Sequence, residues 1–365
     1  MTTNFRELLE VDTFNIDICN KIDENPSYRN IPTGKKKIPW VDKYRPKKLN
    51  EIVYQDEVIK ILKQTVKDGN LPHLLFHGPP GTGKTSTILA IAYELFGPIK
   101  FKERVIELNA SDERGIGVVR GKIATFAQTA IGTADPNYPC PGYKIIILDE
   151  ADAMTTEAQA ALRKTIENNS SITRFCFICN YINQIIEPIN SRCAKFRFKP
   201  LSEECMFEKL KKIIISEKLE VDNKTILAIT NISEGDLRKG IMLLQNLKYI
   251  NNNNIIKEDD VYAISGRISD SMLNRVINIC INKNTGIPNI LELTHEIKSY
   301  SYPIQNILNQ ISDRIIHHNN LTDKMKSQIC IILAKSEKML IDGADEFIQL
   351  LNIFIQIKYI ANKKN

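Results

Sequence analysis

No apolar run in the chain approaches the ~20 residues needed to span a bilayer, which excludes a helical membrane-spanning protein. The first ten residues lack the basic-then-apolar layout of a secretory signal, so an intracellular protein is expected. Disulfide chemistry is also poorly supported. Eight cysteines are spread over 365 residues, and without a secretory leader they read as reduced thiols. Cys176 and Cys179 form one C-x-x-C, with no second pair at zinc-site spacing. Both fall in an apolar, strand-like run, where core thiols fit better than a metal or redox site. No repeat of fixed period is present, which excludes a solenoid or array. Charge is not extreme either: a net +6 and a pI near 8.7 permit nucleic-acid binding without indicating it. What remains, 43% hydrophobic and 25% charged residues, is ordinary for a soluble chain of two or three domains.

Residues 1–37 have no sustained periodicity, are interrupted at Asn25-Pro26-Ser27 and Pro32-Thr33-Gly34, and end in Lys35-Lys36-Lys37. A flexible extension is expected there. After Tyr44-Arg45-Pro46 a helical pattern runs through Val58, Ile61, Leu62 and Val66. Five strand-like runs then alternate with helical patterns: Leu74–Phe76, Val105–Leu108, Ile145–Leu148, Phe175–Ile178 and Phe196–Phe198. Such alternation predicts an α/β fold with a parallel sheet covered by helices on both faces. Beyond Pro200 the strands stop. Helices are expected over Glu204–Leu219, Lys224–Ile232 and Asp236–Leu247, followed by a polar loop at Asn251–Asn254. Residues 268–365 are helical in pattern, for example through Ile304, Ile307, Leu308 and Ile311. The expected division is an extension over 1–37, an α/β domain over 38–202, a small helical domain over 203–266 and an all-helical domain over 267–365.

The most informative stretch is Gly78-Pro79-Pro80-Gly81-Thr82-Gly83-Lys84-Thr85, followed by Ser86. It matches the Walker A pattern G-x-x-x-x-G-K-[ST] and sits between a strand and a helical pattern. The glycines let backbone wrap a phosphate, and N–H groups at the helix start face the anion. Lys84 is placed for the β- and γ-phosphates of ATP, and the Thr85 hydroxyl for Mg²⁺.

The run Ile145–Leu148 leads directly into Asp149-Glu150-Ala151-Asp152. Acids at the carboxyl end of a strand in an open α/β sheet lie where ligands bind. Asp149 is placed to hold Mg²⁺, and Glu150 to orient and deprotonate water; a helix cap with a first-turn acid is the plainer reading of the same dipeptide. Asn180 ends the next strand, where its amide can reach the γ-phosphate or the lytic water. Arg192, in Ser191-Arg192-Cys193, has no local acid partner in sequence and would have a use in an oligomer, reaching a neighbour's γ-phosphate. Arg238 lies off the buried stripe Leu237, Ile241, Leu244, on a helix expected to be capped by Ser233. Cations at Arg114, Arg120, Lys122, Arg163 and Lys164 suit phosphate contacts, and the scarcity of aromatics around them argues against base stacking.

Together, in this order, the motifs resemble the small subunits of replication factor C, the eukaryotic sliding-clamp loader and an AAA+ ATPase. The likeness rests on Trp40-Val41-Asp42-Lys43-Tyr44-Arg45-Pro46, Gly78–Thr85 and Leu108-Asn109-Ala110-Ser111-Asp112-Glu113-Arg114-Gly115-Ile116. It rests equally on Leu148-Asp149-Glu150-Ala151-Asp152, Ser191-Arg192-Cys193 and Gly235-Asp236-Leu237-Arg238-Lys239. Glu94–Pro98 and Phe196–Leu201 look most like the subunit numbered 4 in humans. The resemblance implies an AAA+ P-loop domain, a helical lid and a helical collar. It implies a nuclear heteropentamer that uses ATP and Mg²⁺ to open the PCNA clamp and load it on primer–template DNA, in replication and repair. It further implies that Asn180 and Arg238 are sensors, that Arg192 is an arginine finger acting in trans, and that Val41, Tyr44 and Arg45 lie on the adenine side. Arg114, Arg120 and Lys164 would line the DNA channel. Behind an ATP-hydrolysing clamp-loader subunit stand two alternatives: a DNA- and clamp-binding scaffold that holds ATP structurally, and another AAA+ machine such as a helicase loader or branch-migration motor.

Overall fold

The computed structural model describes residues 38–52, 55–111, 117, 119–129, 131–251 and 255–362. The expected extension over 1–37 and Arg114 lie outside the described residues, as do residues 252–254 of the expected polar loop. The chain divides into two units, Met1–Lys43 and Tyr44–Asn365. In the first, the short helix α1 (Trp40–Lys43) carries Val41.

In the second unit, α2 (Asp56–Lys67) precedes β1 (Leu74–His77), and α3 (Lys84–Arg104) follows it. Next come β2 (Val105–Asn109), α4 (Ala124–Gln128), β3 (Lys144–Asp149) and α5 (Thr156–Asn169). The sheet is completed by β4 (Thr173–Cys179), α6 (Glu187–Asn190) and β5 (Ala194–Arg197). All five strands are parallel, in the order β2-β3-β4-β1-β5. Among the described residues, the five strands expected from sequence are all found, with ends shifted by one or two residues.

Side-chain alternation along the strands fills two separate cores. Leu74, Phe76, Ile145, Ile147, Cys176 and Ile178 pack on one face with Ile88, Ile91, Ala92 and Leu95 of α3. Leu75, Ile146, Leu148, Phe177 and Cys179 pack on the other with Ala158, Leu162 and Ile166 of α5. Cys176 and Cys179 therefore face opposite sides of the sheet, as odd spacing in a strand requires. Burial pushes the Cys176 thiol well up and the Cys179 thiol up to about 12, so both are inert core groups.

The register aligns the strand ends. His77 pairs with Cys179 across β1 and β4, and Asn109 with Asp149 across β2 and β3. Every residue that follows a strand is thereby delivered to one edge.

Four helices succeed the sheet: α7 (Glu203–Ser216), α8 (Asn223–Ser233), α9 (Leu237–Asn251) and α10 (Glu258–Ser265). The expected cap of α9 is corrected. Ser233 ends α8 and donates to Ile229 O at 2.6 Å, whereas Asp236 Oδ1 accepts from Lys239 N at 3.1 Å. An aspartate next to the first helical residue is simply closer to the free N–H groups.

The remaining helices, α11 (Asp270–Ile281), α12 (Ile287–Ser299), α13 (Ile304–Ile316), α14 (Asp323–Ile341) and α15 (Glu346–Asn362), surround a third core. Ile304, Ile307, Leu308 and Ile311 lie within it, as their helical spacing predicts. Among the described residues, no helix is long and apolar enough to cross a membrane.

Candidate active site

The loop Gly78–Gly83 joins β1 to α3. Gly78, Gly81 and Gly83 have φ of 146°, 68° and 93°. Side chains rarely adopt these values, and they bend the loop so that its N–H groups can converge. Space adds a second constraint at Gly81. A Cβ there would stand 1.7 Å from Oδ1 of Asp236, so the start of α9 rests directly on the loop.

Lys84 begins α3 and is buried. Its ammonium donates to Gly78 O at 2.7 Å, to Pro79 O at 2.8 Å and to Asn180 Oδ1 at 3.0 Å. Burial lowers its pKa from the ordinary lysine value. The negative charges of Asp149 and Asp152 oppose that shift, and Arg238 reinforces it. Lys84 thus sits in the fields of both strand-end acids and of Arg238, three elements that sequence alone could only hope to bring together.

Thr85 Oγ1 donates to Asp149 Oδ2 at 2.7 Å, so the loop and the end of β3 are tied through one hydroxyl. The Thr82 hydroxyl donates to Pro79 O at 2.9 Å and braces the loop from within. Glu150 follows Asp149 with φ 54° and ψ 40°, left-handed backbone that costs a non-glycine residue roughly 1–3 kcal/mol. Its N–H is held by Asp149 Oδ1 at 2.9 Å and its side chain is exposed. No side-chain hydrogen bond from Glu150 caps the turn Ala151–Ala153 that follows it.

Asp152 has a role the motif reading did not give it. Its Oδ2 accepts from Asn180 N at 2.9 Å and from Tyr181 N at 3.1 Å. The loop that carries Asn180 is therefore clamped to the segment that carries Glu150. Choosing Asn180's backbone as its partner required the structure.

Tyr44 and Arg45 approach from the start of the second unit. The Tyr44 hydroxyl lies 2.7 Å from Ser216 Oγ and donates to Glu217 Oε1 at 2.7 Å, at the end of α7. Glu217 also takes an ion pair from Lys248 at 2.8 Å. Arg45 bears on Glu107 of β2, whose carboxyl burial raises and the Arg45 charge lowers.

Arg192 is displayed on the turn between α6 and β5. Its neighbours in sequence are anchored, with Ile189 at 1% and Cys193 at 8% exposure. The acid that partners it comes from outside its own segment. Arg192 pairs with Glu167 Oε1 at 2.6 Å and donates to Pro188 O at 2.7 Å. Glu167 lies 25 residues away in sequence, at the end of α5, and chain folding alone brings it there. Arg163, one turn earlier on α5, contacts the same oxygen at 3.1 Å. The hydrogen bond from Arg163, together with the charges of Arg163 and Arg192, holds the Glu167 carboxyl below its usual value.

Lys164 is exposed on α5. Arg120 falls on the π-helical turn Val119–Ile123. Among the described residues, no cluster of three or more His, Cys, Asp or Glu side chains is suited to a metal.

A five-stranded parallel sheet with a phosphate-binding loop after β1, acids after β3 and an amide after β4 defines an AAA+ P-loop ATPase. The family model for the ATPase family associated with various cellular activities matches residues 74–201. The model for the replication factor C C-terminal domain matches residues 268–356. Replication factor C subunit 2 of Oryza sativa subsp. japonica is 47% identical over 316 residues, 86% of this chain and 92% of that protein. Replication factor C subunit 4 of Homo sapiens is 47% identical over 319 residues, 87% of each chain. The chain belongs to the replication factor C family, and the human subunit 4 singled out by its motifs is among its relatives. A Thermotoga maritima RuvB structure matches with a TM-score of 0.50 at 19% identity, over 74% of this chain and 91% of that one; this likeness concerns the fold alone.

Proposed function

We propose that this chain is an ATP-hydrolysing subunit of a replication factor C clamp loader. On this reading it works in the nucleus, in a heteropentamer that opens the PCNA ring and places it on primer–template DNA. Residues 38–202 form the ATPase domain, 203–266 the lid and 267–365 the collar through which subunits assemble. The observation that carries the reading is the joining of one loop to the ends of two other strands: Lys84 to Asn180 after β4, and Thr85 to Asp149 of β3.

The donor set fits a hard divalent cation, since a hydroxyl and a carboxylate oxygen stand 2.7 Å apart beside a phosphate-binding loop. Thr85 and Asp149 would hold Mg²⁺, which when bound offsets charge on the phosphate oxygens. The chain's own groups do the rest. The backbone of Gly78–Thr85 and Ser86 cradles the triphosphate, with Val41, Tyr44 and Arg45 on the adenine side. Glu150 takes a proton from the attacking water. Asn180, held by Asp152, orients that water and the γ-phosphate. Lys84 and Arg238 offset charge on the transferring group, and a neighbouring subunit completes the site with an arginine. Arg192 is this chain's contribution to the next site. Arg114, Arg120 and Lys164 contact DNA phosphates, which position the duplex without reading its sequence.

Loading of labelled PCNA onto primed DNA tests this function. A complex assembled with Lys84→Ala in this chain should load at a small fraction of the wild-type rate while remaining pentameric. Wild-type loading by that complex would refute the proposal. Strand displacement with no dependence on a clamp would favour a branch-migration motor instead.

A further inference from the structure

Glu167 belongs to none of the nucleotide-binding motifs, yet it holds the residue read as the trans-acting finger. Its Oε1 accepts from one terminal nitrogen of Arg192 at 2.6 Å, while the other terminal nitrogen donates to Pro188 O at 2.7 Å. These two contacts fix the plane of the guanidinium and use part of its five-donor fork, which leaves donors for an external anion. The same carboxylate oxygen accepts from Arg163 Nε at 3.1 Å. Arg163 lies four residues earlier on α5, so Glu167 is itself held in place. Backbone on both sides is anchored in the core: Ile166 and Ile189 are each 1% exposed.

An arginine has several rotatable bonds, and ordering it during the reaction costs entropy that a pre-fixed side chain avoids. We propose that Glu167 is a positioning residue for Arg192, setting the guanidinium for the nucleotide of the adjacent subunit. This rests on the reading of Arg192 as a finger in trans. Arg163 serves as the counter-ion that keeps Glu167 oriented, so a cation of α5 works on the finger rather than in the DNA channel.

The test uses the assembled complex with this chain as wild type, Glu167→Gln, Arg192→Ala and the double variant. ATP hydrolysis stimulated by clamp and primed DNA is measured as a function of ATP concentration. Arg192→Ala should abolish the adjacent site's contribution to kcat. Glu167→Gln should lower that contribution about threefold with KM unchanged, the size expected for a solvent-accessible pair. The double variant should match Arg192→Ala alone, because Glu167 acts only through Arg192.

If Arg192→Ala lowers the rate but Glu167→Gln does not, the positioning role is overturned and the finger stands. A further loss in the double variant would mean that Glu167 acts elsewhere, and would also overturn it. If Arg192→Ala has no effect, the finger reading fails and the role of Glu167 falls with it.

Discussion

The Thr85 hydroxyl donates to Oδ2 of Asp149 at 2.7 Å, joining the last residue of the phosphate-binding motif to the end of the buried strand β3. If these oxygens hold Mg²⁺, Thr85→Val removes one of them at nearly constant volume. Affinity for ATP should fall about tenfold in the presence of Mg²⁺ and change little in EDTA, by calorimetric titration. Equal strengthening of binding by Mg²⁺ in the variant and the wild type would remove Thr85 from the cation site.

Gly81 meets Asp236 so closely that no side chain fits between them. Gly81→Ala would place Cβ 1.7 Å from Oδ1, on backbone with φ of 68°. Asp236 cannot yield freely, because it caps α9 through Lys239 N. The left-handed alanine costs roughly 1–3 kcal/mol and the lost cap about 1 kcal/mol. A drop in Tm of roughly 5 °C is expected, together with weaker nucleotide binding. An unchanged Tm would mean that loop and helix separate without cost.

These two contacts mark how far the sequence could be read. Thr85 and Asp149 were legible because each sits in a motif whose spacing encodes its position. The sheet was legible because runs such as Ile145–Leu148 are apolar throughout, as strands buried on both faces must be. The partners of Arg192 and Asn180 were not legible. Glu167 and Asp152 find them through packing of α5 and of the β3 and β4 ends, and no local rule records such long-range proximity. Two buried cations were missed for the same reason. Lys144 donates to Phe126 O and Thr129 O at the end of α4, and Arg104 to Gly132 O and Pro141 O, so each replaces water with backbone carbonyls. The cap of α9 was misplaced by three residues because Ser233 and Asp236 are both good capping residues, and only backbone geometry chooses between them.

His73 supplies a pH signature of the sheet. Burial, helped by the Arg174 charge, lowers its pKa from 6.5 to about 4, and its Nδ1 accepts from Phe175 N at 3.1 Å. The unfolded chain therefore takes up a proton near pH 6.5, before the folded chain does. The stability due to neutral His73 is complete above pH 6.5 and is lost as pH falls toward 4. Between pH 6.5 and 4.5 the Tm of the wild type should fall more steeply than that of His73→Gln, which cannot titrate. Parallel curves would mean that His73 charges equally in both states.

On the proposed function, this chain's own site hydrolyses ATP, with Glu150 as the base and a neighbour's arginine completing it. The most direct measurement is ATP hydrolysis, stimulated by clamp and primed DNA, in a complex carrying Glu150→Gln in this chain alone. The substitution keeps size and hydrogen bonding but removes the basic carboxylate. This site should retain ATP binding and lose its share of turnover, by on the order of 10²-fold or more. A stimulated rate equal to wild type would contradict the account and leave a subunit that holds ATP without consuming it.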